Sequence, residues 1–144
     1  MFKRILVPTD GSDITAHAVD TAIELAKTHG AQLLTLSVME PFPYSAVSEI
    51  QPVPPQEFID AQHRVALQRV EAVSAAAAVQ GLACQMHTTE ALHAWEAIID
   101  HAKAESVDLI VMASHGRRGM AALLLGSETQ KVLTHTDLPV LIVK

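Results

Sequence analysis

The sequence predicts an α/β fold: an open sheet of five parallel strands with helices on both faces. Short apolar runs such as Leu109-Ile110-Val111-Met112-Ala113 lack polar alternation, as strands buried on both faces do. Stretches of helical periodicity separate these runs, giving the order βαβαβαβαβ. Parallel neighbours need helical crossovers, and those crossovers are right-handed.

Ile5-Leu6-Val7 is the first buried strand, stopped by the turn and capping residues Pro8-Thr9-Asp10-Gly11-Ser12. A helix follows, with Ala18, Ala22, Leu25 and Ala26 on one face and Asp20, Glu24 and Lys27 on another. Gly30 stands where a helix ends in a left-handed residue. Residues 31–38 read as the second buried strand. Pro41, Pro43, Pro52, Pro54 and Pro55 exclude regular structure from most of 39–56, a long loop of the kind that includes both lids and plain connectors. Phe58 to Gln80 is a long helix with Ala66, Val70, Val73 and Ala77 at helical spacing, and Gly81 stops it. Ala83 to Thr88 alternates, as an edge strand does. Trp95, Ile98, Ile99 and Ala102 mark a third helix. Leu109 to Ala113 is the fourth strand, Gly126-Ser127 opens a fourth helix, and Leu138 to Val143 is the last strand.

The 144 residues suit one domain, spanning 1–144. Hydrophobic residues make up 49% and aromatics 3%, so an aliphatic core is expected and the composition argues against disorder. The net charge of −6 argues against a nucleic-acid or anionic-membrane surface. Cys84 stands alone, which excludes an intrachain disulfide and a multi-Cys zinc site; it reads as an inert core thiol. No run of about 18 apolar residues is present, and Met1-Phe2-Lys3-Arg4 shows no leader pattern, so a cytoplasmic protein is expected.

Ligands of open α/β sheets bind beyond the carboxyl ends of the strands, where strand order reverses. The stretch after the fourth strand is the most informative. Gly116, Gly119 and Gly126 allow close backbone approach, and Arg117 and Arg118 bring positive charge to an acidic protein. Ser127-x-x-Gln130 fits a capping box, and a helix N-terminus offers free N–H donors to phosphate. This is an anion cradle, or else an ordinary glycine-containing loop with a cap. It is neither a Walker A loop nor a GxGxxG fingerprint.

Ala113-Ser114-His115-Gly116, nine residues, then Gly126-Ser127 closely resembles the nucleotide-binding signature of the universal stress protein family, Gly-x-x-Gly, nine residues, Gly-Ser/Thr. Ile5 to Ser12 resembles that family's first strand and loop, and Leu138 to Val143 its last strand; the element order agrees over the whole chain, with 39–56 as the variable segment. The resemblance implies a Rossmann-like sheet similar to the adenine nucleotide α-hydrolases, and a dimeric stress-response protein that binds ATP with Mg²⁺. By position it implies that Asp10 meets ribose or a metal-bound phosphate region, while Pro8 and Thr9 line the pocket. Val38 would meet adenine through its backbone and Met112 would pack near the base. Ala113, His115 and Gly116 would border ribose and phosphates, with Arg118 and Gly119 in the same loop. Gly126, Ser127, Glu128 and Thr129 would hold phosphate. One departure is Ala113, which replaces the signature's first glycine and costs about 1 kcal/mol or more if that position needs positive φ.

Asp10 also suits a cap on the helix that follows it. Of the 8 histidines, no pair has a metal-binding spacing along the chain; His93 and His101 lie eight residues apart on one helix, too far to share an ion. His115 suits a ligand contact or a bond to backbone, and Trp95 reads as core. Ser12, Ser114 and Ser127 lack a partner base nearby in sequence, so at most slow hydrolysis is expected. Val140 to Val143 reads as an apolar sheet edge that a twofold mate would cover. The first function is thus an ATP-binding dimer. A dimerisation or protein-interaction scaffold that keeps no nucleotide is the alternative, with its protein partner unidentified. Thr9-Asp10-Gly11-Ser12-Asp13 faintly resembles the loop of ATP pyrophosphatases, but the chain has no second domain for another substrate.

Overall fold

Strand residues alternate between two faces, so a sheet buried on both sides needs two apolar layers. The computed structural model of the chain has that arrangement, and it describes residues 1–42, 55–116 and 125–144. The elements run β1 (Arg4–Pro8), α1 (Asp13–His29), β2 (Gln32–Met39), α2 (Gln56–Val79), β3 (Cys84–Glu90), α3 (Ala94–Ala104), β4 (Leu109–Ala113), α4 (Ser127–His135) and β5 (Val140–Val143). The five strands form one sheet in the order β3-β2-β1-β4-β5, and every pairing is parallel. Consecutive strands build outward from β1 to β3, and then the chain crosses back to β4. Strand order therefore reverses between β1 and β4, and their carboxyl ends border one crevice.

One layer joins Ile5, Val7, Leu33, Val111 and Ala113 to α1 and α2 through Ala18, Ala22, Ile23, Val73 and Ala77. The other joins Leu6, Leu34, Leu36, Ile110 and Met112 to α3 and α4 through Ile98, Ile99 and Val132. The alanines of α1 let that helix sit close to the sheet, which suits a core with few aromatics. Gly30 ends α1 at φ 63, and its N–H together with that of Ala31 returns to the last turn. Ala66, Val70, Val73 and Ala77 are the buried residues of α2, as their spacing predicts. β3 lies at a sheet edge with a half-exposed pattern, and β5 forms the other edge. No helix among the described residues is long and apolar enough to cross a membrane.

Leu34 is 0% exposed in the second layer. Leu34→Ala leaves a cavity between β2 and α3 and is expected to cost about 2–5 kcal/mol, read as a lower urea midpoint with an unchanged slope.

Candidate functional site

The crevice is built from three backbone segments: the loop after β1, the residues after β4 and the first turn of α4. Asp10 organises the first. Its Oδ1 accepts hydrogen bonds from the Ser12 N–H (2.9 Å), Ser12 Oγ (2.6 Å) and Thr15 Oγ1 (2.8 Å). Ser12, the residue before α1, makes no side-chain cap of its own. Asp10 thus ties the loop to the first turn of α1 through one oxygen. Thr9 holds the same loop from the other side: its N–H reaches Leu36 O (2.9 Å) and its Oγ1 accepts from Gly11 N–H (3.1 Å).

The second oxygen of Asp10 faces β4. A Cβ built on Gly116 would lie 2.6 Å from Asp10 Oδ2, nearer than real side-chain contacts come. A Cβ on Gly126 would lie 3.3 Å from both His115 Cα and Ser114 O. Something must shift to admit a side chain at Gly116, and Gly126 is tightly packed against the end of β4. Gly126 donates its N–H to Ser114 O (2.7 Å), Ser114 N–H reaches Val143 O (2.8 Å), and Thr129 Oγ1 donates to Ala113 O (3.0 Å). The first turn of α4 is stitched to the end of β4 by these bonds. The N–H groups of Ser127, Glu128 and Thr129, the first three of α4, have no intrahelical acceptor and leave partial positive charge there.

The expected capping box at Ser127 does not form. Gly126, extended at φ −60 and ψ 150, is the N-cap, and no side chain caps α4. Ser127 is instead the first helical residue and is exposed. The bond from Gly126 to Ser114 O fixes the helix start one residue earlier than the motif implies. Two side chains among the expected phosphate ligands are engaged elsewhere. Glu128 Oε2 accepts from Trp95 N–H (2.8 Å) and so caps α3, while the Thr129 hydroxyl is spent on Ala113 O. Among the described residues, no partner takes their backbone N–H groups or the Ser127 hydroxyl.

Pro8, Val38 and Met112 lie at the carboxyl ends of β1, β2 and β4. Val38 and Met112 face the α3 and α4 layer, where Met112 is a core side chain at 7% exposure. Ala113 faces the opposite layer, packed among α1 residues, and its φ is negative. The methyl group thus points into the core, and the position does not demand a glycine backbone. Arg117, Arg118 and Gly119 lie outside the described residues, as does most of the proline-rich segment, 43–54.

His115 Nδ1 shares a hydrogen bond with Ser114 Oγ (2.8 Å), and its buried Nε2 has no partner among the described residues. This pairing is not visible as a catalytic spacing in the sequence. Ser114 is 2% exposed, so no substrate can reach its Oγ as it would a nucleophile. Burial pushes the Cys84 thiol up to about 11, which keeps it protonated and unreactive at neutral pH; it is half-buried against the α1 and α2 layer. Trp95 packs partly buried on the second layer, with its ring 4.6 Å from that of His135.

With this geometry in view, similarity to known proteins decides the family. The model of the universal stress protein family matches residues 1–144. The chain belongs to the universal stress protein family. A universal stress protein of Thermus aquaticus is 36% identical over 146 residues, covering 100% of both chains. Universal stress protein YxiE of Bacillus subtilis is 36% identical over 150 residues, again covering 100% of both. Among solved structures, the hypothetical protein MJ0577 superposes with a TM-score of 0.82 at 27% identity, covering 100% of this chain and 96% of that one. Two members with the same fold were solved with nucleotides: one with cAMP (TM-score 0.74, 21% identity) and one from Archaeoglobus fulgidus with dAMP (TM-score 0.69, 19% identity). They cover 99% of this chain each, and 97% and 98% of their own.

Proposed function

We propose that this universal stress protein binds an adenine nucleotide, ATP with Mg²⁺, in the crevice between β1 and β4. It would work as a homodimeric regulatory protein of the cytoplasm with little or no turnover. The observation that carries this reading is the close approach of Gly116 to Asp10 Oδ2, beside the free N–H groups of α4. Glycine at residue 116 lets the Asp10 carboxylate sit directly against the backbone that follows β4.

The residues present suit the ligand. The backbone N–H groups of Ser127, Glu128 and Thr129, with the Ser127 hydroxyl, supply donors to phosphate at a helix N-terminus. Arg118 and Gly119 belong to the same loop by sequence. Asp10 offers a hard oxygen to ribose hydroxyls or to the metal, the donor type Mg²⁺ takes. Pro8, Thr9 and Val38 would line the base and ribose end, with Met112 beneath and His115 at the rim. Bound Mg²⁺ would supply charge neutralisation for the polyphosphate. The same fold carries adenine nucleotides in the cAMP and dAMP complexes named above, which supports the ligand class.

Ala113, in place of the signature's first glycine, is the feature that would favour a scaffold without nucleotide. Its negative φ and its core-facing methyl weaken that alternative. The dimer reading rests on β5, an edge strand whose Leu141 is 38% exposed. Pairing with a second copy would cover its open hydrogen-bonding groups.

Heat denaturation of protein purified without added ligand tests the ligand class. Chromatography of the supernatant is expected to show an adenine nucleotide in near-stoichiometric amount. Protein that releases none favours the scaffold.

A further inference from the structure

Two histidines far apart in sequence meet on the α3 side of the sheet. His87 lies in β3 and His101 in the third turn of α3, with ring centroids 4.5 Å apart. Glu105, the C-cap of α3, completes the group. One ring nitrogen of each histidine and one carboxylate oxygen of Glu105 all lie within 4.8 Å of one another. The Nε2 atoms of His87 and His101 are both buried and have no hydrogen-bond partner among the described residues. Buried polar atoms are nearly always paired, so two orphans on adjacent, tilted rings point to a ligand.

We propose that His87, His101 and Glu105 form a binding site for a divalent transition metal of the zinc class, with water in the fourth position. Two imidazoles and a carboxylate are a donor set for zinc, whereas Mg²⁺ and Ca²⁺ prefer all-oxygen shells. Tetrahedral zinc at about 2.0–2.1 Å from nitrogen needs donors about 3.4 Å apart, so small side-chain rotations close the present spacing. Arg4 Nη2 holds Glu105 Oε2 at 3.0 Å, and Arg4 also bonds Gln32. Arg4 thereby holds the carboxylate through Oε2.

The site is separate from the nucleotide crevice. α3 runs back from the carboxyl end of β3, so its last turn lies near Arg4, where β1 begins. A metal there would tie the edge strand β3 to α3. It would also load the helix whose N-terminus Glu128 caps, next to the phosphate end of the crevice.

The test uses tag-free full-length chain, stripped of metal and without nucleotide, titrated calorimetrically with zinc chloride. One zinc per chain is expected, and cobalt chloride should give the intense visible bands of a tetrahedral site. His87→Gln and His101→Gln should each weaken zinc binding by more than about 100-fold, beyond the roughly 10–100-fold of an outer-shell loss. His63→Gln, at an exposed histidine of α2, should leave it unchanged. Circular dichroism checks folding; should either histidine variant fail to fold, Glu105→Gln, which keeps an acceptor for Arg4, decides in its place. Wild-type protein that binds no zinc, or binding that survives in the folded variants, overturns the proposal.

Discussion

Gly116→Val is expected to abolish most nucleotide binding while leaving the fold in place. The smallest side chain at this position already brings a carbon to 2.6 Å from Asp10 Oδ2. Asp10 cannot swing away freely, because its other oxygen holds Ser12 and Thr15 through three hydrogen bonds. A branched side chain would stand where the proposed ligand lies, displacing either that ligand or the carboxylate. Loss of one hydrogen bond to a charged group costs about 1.5–3 kcal/mol. Dissociation constants should therefore rise by about 10- to 100-fold. Titration calorimetry measures the effect, and a thermal melt confirms that the variant is folded. Binding within about twofold of wild type would place the ligand elsewhere.

The second large effect concerns assembly. Leu141→Lys is expected to halve the apparent mass on a sizing column. β5 ends the sheet with Val140, Leu141, Ile142 and Val143 all at least partly exposed, and Leu141 is the most open of them. A lysine on an edge strand is a common guard against strand pairing, since the charge must lose its water when a second strand docks. The substitution sits on a half-exposed position, so the isolated subunit should keep its secondary structure. An unchanged elution volume would remove β5 from the interface.

Much of the fold is legible in the sequence because its determinants are local. Ala66, Val70, Val73 and Ala77 announce the buried stripe of α2 by spacing alone, and all four are buried. Gly30 marks the end of α1 through a backbone conformation that other residues adopt at a cost. The alternation of β3 is what an edge strand with one wet face requires. The convergence of Asp10 on Gly116 follows from strand order, which right-handed crossovers constrain.

The misreadings arise where distant segments compete for the same group. Ser127-x-x-Gln130 has the composition of a capping box, but the bond from Gly126 to Ser114 O starts the helix at Ser127. Nor does spacing show that the Glu128 carboxylate is taken by Trp95 N–H, 33 positions away, which leaves only the Glu128 backbone N–H for the phosphate role the resemblance implies. His87 and His101 show no shared motif, because one comes from a strand and the other from a helix folded over the sheet. Local spacing contains none of these contacts; only the packing of α3 and α4 on the second layer creates them.

Isothermal titration of wild-type protein with ATP and Mg²⁺ tests the nucleotide crevice most directly. A single saturable transition with one nucleotide per chain is the expected result. No heat at millimolar ATP would contradict it.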